Sequence, residues 1–448
     1  MSVSADDPHC RRGFAAQRAR SAVSAKGASL LGNLSLDMVL SSRTLTSLTI
    51  MALRGLALVA KFALTLFIAR FIGLETLGVY GLVAGAAVMF PVVASLGLIR
   101  ILSRNAVSQP LDEVTYMLRR YWGIQAAVYG MISFIALGVG IYLHQLALTS
   151  IVLVIVFLEH VNGDLFVLLN HLLQPRLANV LMFFRTAGWI CIYMILAFVF
   201  PALRNLDTLL EFWIGGSLLA IVGFAISASD WPWLHPTPGA GHKEWLWHHF
   251  KASRVLFVND IANTVAQYTD RYLVSLFMGL ELTGVYVLFW SIGNALSNLV
   301  DTGIIQISEP KLINAHTRQD DSYWRVFRLL FVETVAISIV LAIVTGVLVH
   351  VAIPYLNRPL VADWMQVLWT ILLGFVLRMA YEVQGTVFYS RYKDLFTLFS
   401  GLFVIALSIV ANMVLIPPFA LYGAASAIIV SYIAGIIARY VMITSYCR

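Results

Sequence analysis

Charge is scarce in this chain. Only 12% of its 448 residues are Asp, Glu, Lys or Arg, against roughly 25% in an ordinary soluble domain. That shortage excludes a soluble enzyme, a disordered chain, a coiled coil and a nucleic-acid binder with a membrane anchor. Cysteine is scarcer still. Cys10, Cys191 and Cys447 are scattered, so there is no disulfide framework and no C-x-x-C metal spacing. No cofactor motif and no metal site is expected. Before Leu45 there is no unbroken apolar core of signal-peptide length.

Apolar sequence fills the space that charge leaves. Hydrophobic residues make up 60% of the chain, and mean hydropathy is +0.84. Twelve stretches are long enough to cross a bilayer as helices of about 20 residues. They lie near 47–69, 77–99, 121–143, 147–170, 179–200, 208–229, 255–278, 282–305, 329–352, 364–389, 395–416 and 421–444. The runs are continuously apolar and do not alternate, which excludes β-barrel strands. The fold predicted is all-α and polytopic.

Lys and Arg set its direction. With the N-terminus inside, 21 of the 30 basic residues fall in the tail, the even-numbered loops and the C-terminus. Arg70, Arg204 and Arg358 are the three on the opposite side, and six lie inside spans. Both termini are therefore expected in the cytoplasm. The Arg-rich segment 1–45 reads as a cytosolic tail near the anionic inner leaflet, or as disordered sequence with no role.

The chain contains a repeat. Residues 73–80 read GLETLGVY and residues 279–286 read GLELTGVY, six identities in eight at an offset of 206. Gly73 and Gly279 suit a helix stop, and Gly78 and Gly284 allow close helix contact. The offset divides the chain into an N-lobe, 46–229, and a C-lobe, 255–448, of six spans each. The Pro- and Gly-bearing stretch 230–254 becomes the cytosolic linker. Two parallel repeats around a cleft are a transporter design.

Ionisable groups inside spans need an interior or a watery cavity. Span 1 carries Arg54, Lys61 and Thr65 on one face; span 7 carries Asp260, Asn263, Gln267 and Arg271 on another. The offset of 206 superposes the two stripes. Either they line a central cavity or they form interlobe salt bridges such as Arg54 to Asp260. Arg378 and Glu382 form an i,i+4 pair on span 10. Span 4 holds Glu159, His160, Asn162 and Asp164, a polar cluster rather than a metal site. Asp270 precedes Arg271 and is placed to orient it. Arg185 is expected to snorkel to the cytosol. Asn294 and Asn298 form a polar face on span 8, and Pro91 is expected to kink span 2.

The repeat, together with LFIARFIGLETLGVYGL (66–82), TDRYLVSLFMGLELTGVYVLFWSIGNAL (269–296) and IPPFALYGAASA (416–427), resembles the multidrug/oligosaccharidyl-lipid/polysaccharide exporter (MOP) superfamily. Within it the chain looks most like Wzx-type polysaccharide and O-antigen flippases. The resemblance covers nearly all of 46–448. It implies two six-helix lobes related by a pseudo-two-fold axis, a MATE-like cavity and alternating access in the bacterial inner membrane. The implied substrate is an oligosaccharide on a polyprenyl diphosphate, and a polysaccharide polymerase is an implied partner. The related lipid II flippases typically have fourteen spans, against twelve here.

A diphosphate headgroup needs cations, and Arg54, Lys61, Arg271 and Arg378 are the candidates. Asn263, Gln267, Asn294 and Asn298 are candidate polar lining of the cavity. Glu159, Asp260, Asp270 and Glu382 either carry a proton or sodium ion in exchange for substrate or neutralise the arginines. A drug/cation antiporter of the same superfamily is the nearest competing reading. A membrane polymerase or acyltransferase is the competitor of another class, but no nucleophile–base constellation appears. No nucleic-acid partner is expected.

Overall fold

A computed structural model describes residues 48–107, 109–233, 242–318 and 322–446. The expected tail and the central part of the expected linker, 234–241, lie outside the described residues. The chain divides into two compact units, Met1–Gly55 and Leu56–Arg448. In the first, the described residues 48–55 are helical and Arg54 is exposed. The second holds everything that follows.

The fold is all-α, polytopic and of the MATE/MurJ kind. Among the described residues, ten helices are long and apolar enough to cross a membrane. Two of these greatly exceed one bilayer: Gln267–Thr317 has 51 residues and Leu395–Tyr446 has 52. At 1.5 Å per residue each is about 75 Å long, against a hydrocarbon core of about 30 Å. Each is broken by one non-helical residue, Gly279 (φ 82°) or Ala420 (φ 52°, ψ −130°). Counting the halves separately gives twelve membrane-length helices among the described residues, consistent with the sequence.

In chain order these are α1 (Leu48–Ile72), α2 (Leu74–Ala94), the short α3 (Leu98–Ala106), α4 (Leu111–Tyr142), α5 (Leu146–His171), α6 (Pro175–Val199) and α7 (Leu206–Ser227). After the linker come α8 (242–278), α9 (280–300), the short α10 (Gln306–Thr317), α11 (Tyr323–Ala352), α12 (Met365–Ser390), α13 (394–419) and α14 (421–446).

Most spans are apolar all round. One side packs on neighbouring helices, while the other leaves large side chains such as Phe134, Ile195 and Leu348 exposed. Lipid, which is as apolar as leucine, suits such a surface. Pro91 sits in the last turn of α2, which ends three residues later. The helix runs on past it, with Ser95 N–H bonded to the Pro91 carbonyl, and ends at the left-handed Leu96 and Gly97, so Pro91 falls at the end of span 2 and not deep inside it.

The repeat has a direct structural expression. A Cβ on Gly78 would run into the carbonyl oxygen of Leu280, and one on Gly284 would run into that of Leu74. Residues 74 and 280, like 78 and 284, are 206 apart. Each copy of the hairpin thus lays its glycine on the backbone of the other. The main buried apolar cluster surrounds this point and draws on both halves, from Leu64 and Leu77 to Val285 and Leu421.

Candidate functional site

A cavity of about 230 Å³ lies where α1, α2, α5, α6, α7, α8 and α9 converge. Its charged lining is Lys61, Arg185, Arg271 and Glu159, three cations against one carboxylate. Lys61 and Thr65 come from α1, Tyr268 and Arg271 from α8, and Asn294 from α9. Of the stripes predicted on spans 1 and 7, Lys61, Thr65 and Arg271 meet at this cavity, whereas Arg54, Asp260 and Gln267 are absent from its lining.

Glu159 is fully engaged. Its Oε1 accepts from Trp213 Nε1 at 2.9 Å and from Ser217 Oγ at 3.2 Å. Its Oε2 lies 2.9 Å from Arg185 Nε. Trp213 in turn stacks on Trp189, with centroids 6.0 Å apart and planes at 9°. Arg185 corrects the sequence reading: it turns inward to Glu159 instead of snorkelling. Its position coincides with a π-turn, Phe184–Gly188, inside α6. Such a turn shifts the helical register locally and is frequent at functional sites.

Arg271 is 4% exposed. Its guanidinium lies 3.9 Å from the Trp290 ring centre and 4.7 Å from that of Tyr268. Asp270, placed next to it in sequence, accepts from the Arg271 backbone N–H at 2.8 Å and from Tyr286 Oη at 2.5 Å. Two aromatic faces hold the guanidinium, which leaves its Nε without a hydrogen-bond partner.

A second cavity, of about 360 Å³, lies within the second half. Gln267, Asp270, Arg378 and Glu382 line it, together with Tyr381, Tyr432 and Arg439. Arg378 Nε is 3.9 Å from Glu382 Oε1. Two cations face two carboxylates here, so the lining is electrically balanced. Arg439 escaped the sequence reading. It is buried, donates to Ser400 Oγ at 3.0 Å and to the Tyr381 carbonyl at 2.6 Å, and lies 3.4 Å from the Tyr381 ring centre. Trp290 lines both cavities.

The remaining candidates are placed elsewhere. Arg54 belongs to the first unit and is absent from the lining of either cavity. Asp260 pairs with Arg100 at 2.9 Å rather than with Arg54, because α3 packs on α8 and brings Arg100 alongside. The side chain of Asn263 lies outside the described residues. Asn298 is exposed and lines neither cavity, whereas Asn294, four residues earlier, lines the first. His171 is exposed and bonds to the Val167 carbonyl, so it does not join His160 and Asp164. Among the described residues no group of three or more His, Cys, Asp or Glu is placed to hold a metal.

The fold has counterparts among solved structures. Lipid II flippase MurJ in an inward closed conformation superposes with a TM-score of 0.70 at 14% identity, covering 90% of this chain and 87% of that one. An inward-facing multidrug resistance MATE family transporter of the MOP superfamily gives 0.63 at 12% identity, covering 87% and 95%. A point mutant of VcmN, a MATE transporter of Vibrio cholerae, gives 0.54 at 12% identity, covering 89% and 98%. No protein-family model and no curated protein matches the sequence.

Proposed function

We propose that this chain is a membrane flippase. It moves an oligosaccharide linked to a polyprenyl diphosphate from the inner to the outer leaflet of the bacterial cytoplasmic membrane, by alternating access, for surface polysaccharide synthesis. One observation carries the reading: the cavity shared by α1, α5, α6, α8 and α9 presents Lys61, Arg185 and Arg271 against Glu159 alone. Glu159 and Arg185 neutralise each other, which leaves Lys61 and Arg271 for an anion. A diphosphate needs such partners, because a bare charge in hydrocarbon is prohibitive. The fold shared with MurJ and MATE transporters supports transport as the class.

In this reading Lys61 and Arg271 hold the headgroup, and Gln267, Asn294 and Arg378 meet the glycan. The linker side faces the cytosol, in keeping with its excess of Lys and Arg. A drug/cation antiporter would favour an acidic cavity, and the excess of cations around Lys61 weighs against it. The test is complementation in cells whose surface polysaccharide depends on this protein. At normal membrane abundance, Lys61→Ala and Arg271→Ala abolish export and Lys61→Arg retains it. Normal export by Lys61→Ala would remove Lys61 from the headgroup site.

A further inference from the structure

The transporter reading leaves the driving ion open, and most carboxylates in the spans are poor carriers. Glu159 is paired with Arg185, Asp260 with Arg100 and Glu382 with Arg378. A guanidinium keeps its charge at any physiological pH, so these pairs are fixed and neutral. Asp270 is held by Tyr286 and a backbone N–H. Asp164 differs, because its charged partner among the described residues is His160, with Nε2 2.9 Å from Oδ2. Imidazole is the side chain whose ordinary charge change lies between about pH 5 and 8.

We propose that His160, with Asp164, Tyr121 and Tyr129, is the proton-binding site that couples this transporter to a pH gradient. The proposal rests on the transporter reading above.

The groups around His160 can be counted. From α5, Asp164 faces it. From α4, Tyr121 Oη lies 2.9 Å from Nε2 and donates to Asp164 Oδ2 at 2.7 Å, while Tyr129 Oη lies 2.9 Å from Nδ1. The adjoining α7 wall is Leu218, Ile221, Phe224 and Ala225 and has no titratable group. Arg120, next to Tyr121, lies over the Tyr116 ring at 5.1 Å. Glu159 points away, to Trp213 and Arg185.

The Tyr121 hydroxyl hydrogen is committed to Asp164, so Nε2 must be the donor on its side of the ring. Nδ1 then accepts from the Tyr129 hydroxyl when the ring is neutral. In that state the four side chains together carry one negative charge, on Asp164. Adding a proton at Nδ1 makes an imidazolium–carboxylate pair and cancels it. Nδ1–H then donates to the Tyr129 oxygen, and the hydroxyl hydrogen must turn to another acceptor.

An amide lines the same cavity. Gln125 lies one helical turn before Tyr129, on the same face of α4. It is 3% exposed, and both its amide oxygen and its amide nitrogen lack hydrogen-bond partners. Its side chain lines the same cavity as Tyr129, His160 and Asp164. A buried amide with neither end satisfied is uncommon and requires a reason. As placed, the amide makes no hydrogen bond to Tyr129, so the protonated state is satisfied only when the Gln125 side chain turns together with the Tyr129 hydroxyl. The effect reaches the headgroup site through α5 itself, because Glu159, the preceding residue, holds Arg185 at the first cavity.

Two measurements on the full chain test the site. The first uses substrate-free protein in bilayers and follows the ring-nitrogen resonances of His160, assigned by their loss in His160→Gln. One proton should be taken up reversibly across the range in which imidazoles ordinarily change charge, about pH 5 to 8, and Asp164→Asn should alter that uptake. A ring that keeps one protonation state across that range overturns the proposal. The second uses vesicles containing a lipid-linked diphosphate glycan. An imposed pH gradient should accelerate wild-type transport several-fold and leave His160→Gln unaffected, while exchange at equal pH persists within about two-fold. Retained gradient dependence in His160→Gln overturns the coupling role. If the wild type moves no such lipid, the flippase reading fails on its own, and the resonance titration still decides the proton site.

Discussion

Arg358 donates its Nε–H to the backbone carbonyl of Ala69 at 2.9 Å, 289 positions away in sequence. A second guanidinium nitrogen reaches the Arg70 carbonyl at 3.3 Å. A cation from the second half thereby satisfies the orphan carbonyls at the end of α1, where the helix dipole favours positive charge. Arg70 and Arg204 both lie over the ring of Phe71, at 5.2 and 5.1 Å. The three basic residues predicted on the side opposite the linker thus gather at one helix end, where Arg358 joins the two halves.

Loss of this clamp should loosen that side. In Arg358→Ala, a thiol introduced at the cavity by Ser291→Cys should react several-fold faster with a membrane-impermeant reagent added from the Arg358 side. Folding should change by only about 1 kcal/mol, the usual net contribution of such hydrogen bonds.

The ion pair of Glu159 should behave as a structural unit. Arg185→Ala strands a buried carboxylate, and Glu159→Gln strands a guanidinium, so each should cost about 3–5 kcal/mol. The double change to neutral residues should cost less than the sum of the two single changes. Thermal unfolding in detergent, read by monodispersity on a sizing column, measures all three.

At Gly284 any side chain meets the backbone of Leu74. Gly284→Val should prevent the halves from closing and remove most folded protein from the membrane, and Gly78→Val should do the same. Overpacking elsewhere in a core costs about 1–3 kcal/mol because side chains give way; here the obstacle is main chain. Membrane abundance on immunoblot reports the outcome.

Ala420 has φ 52° and ψ −130°, a conformation suited to glycine. Ala420→Gly should relieve that strain and raise thermal stability by about 1 kcal/mol, although glycine ordinarily loosens the unfolded chain. A lower unfolding temperature would contradict this.

The spans and the hairpin glycines were legible in the sequence, because bilayer length and a repeated backbone conformation are local requirements. That Lys61 and Thr65 share one face of α1 was legible because helical periodicity fixes which face a residue occupies, and both line the first cavity with Arg271 of α8. The sequence failed where position depends on what packs beside a helix. Arg185 turns inward at a π-turn that no local pattern marked. Asp260 meets Arg100 because of the short α3. The Tyr121 and Tyr129 partners of His160 come from another helix, and the i,i+4 spacing of His160 and Asp164 offered no way to find them. Ala420 follows Pro417 and Pro418, a breaker signal inside an apolar run that marks the end of one helix and the start of the next.

The reciprocal seating of Gly78 and Gly284 has an evolutionary consequence. Each hairpin carries both tooth and socket, so the segment is complementary to a copy of itself. Such isologous surfaces close as a two-fold pair and leave no open end to recruit a third. Two identical copies of the hairpin would close in this same geometry. Joining two copies on one chain frees them to diverge, and the positions 206 apart record the division of labour. Lys61 faces the cavity where its counterpart is the uncharged Gln267, and Arg271 is charged where its counterpart is Thr65. Neither half alone supplies both Lys61 and Arg271, so the excess of positive charge at the first cavity belongs to the two halves together.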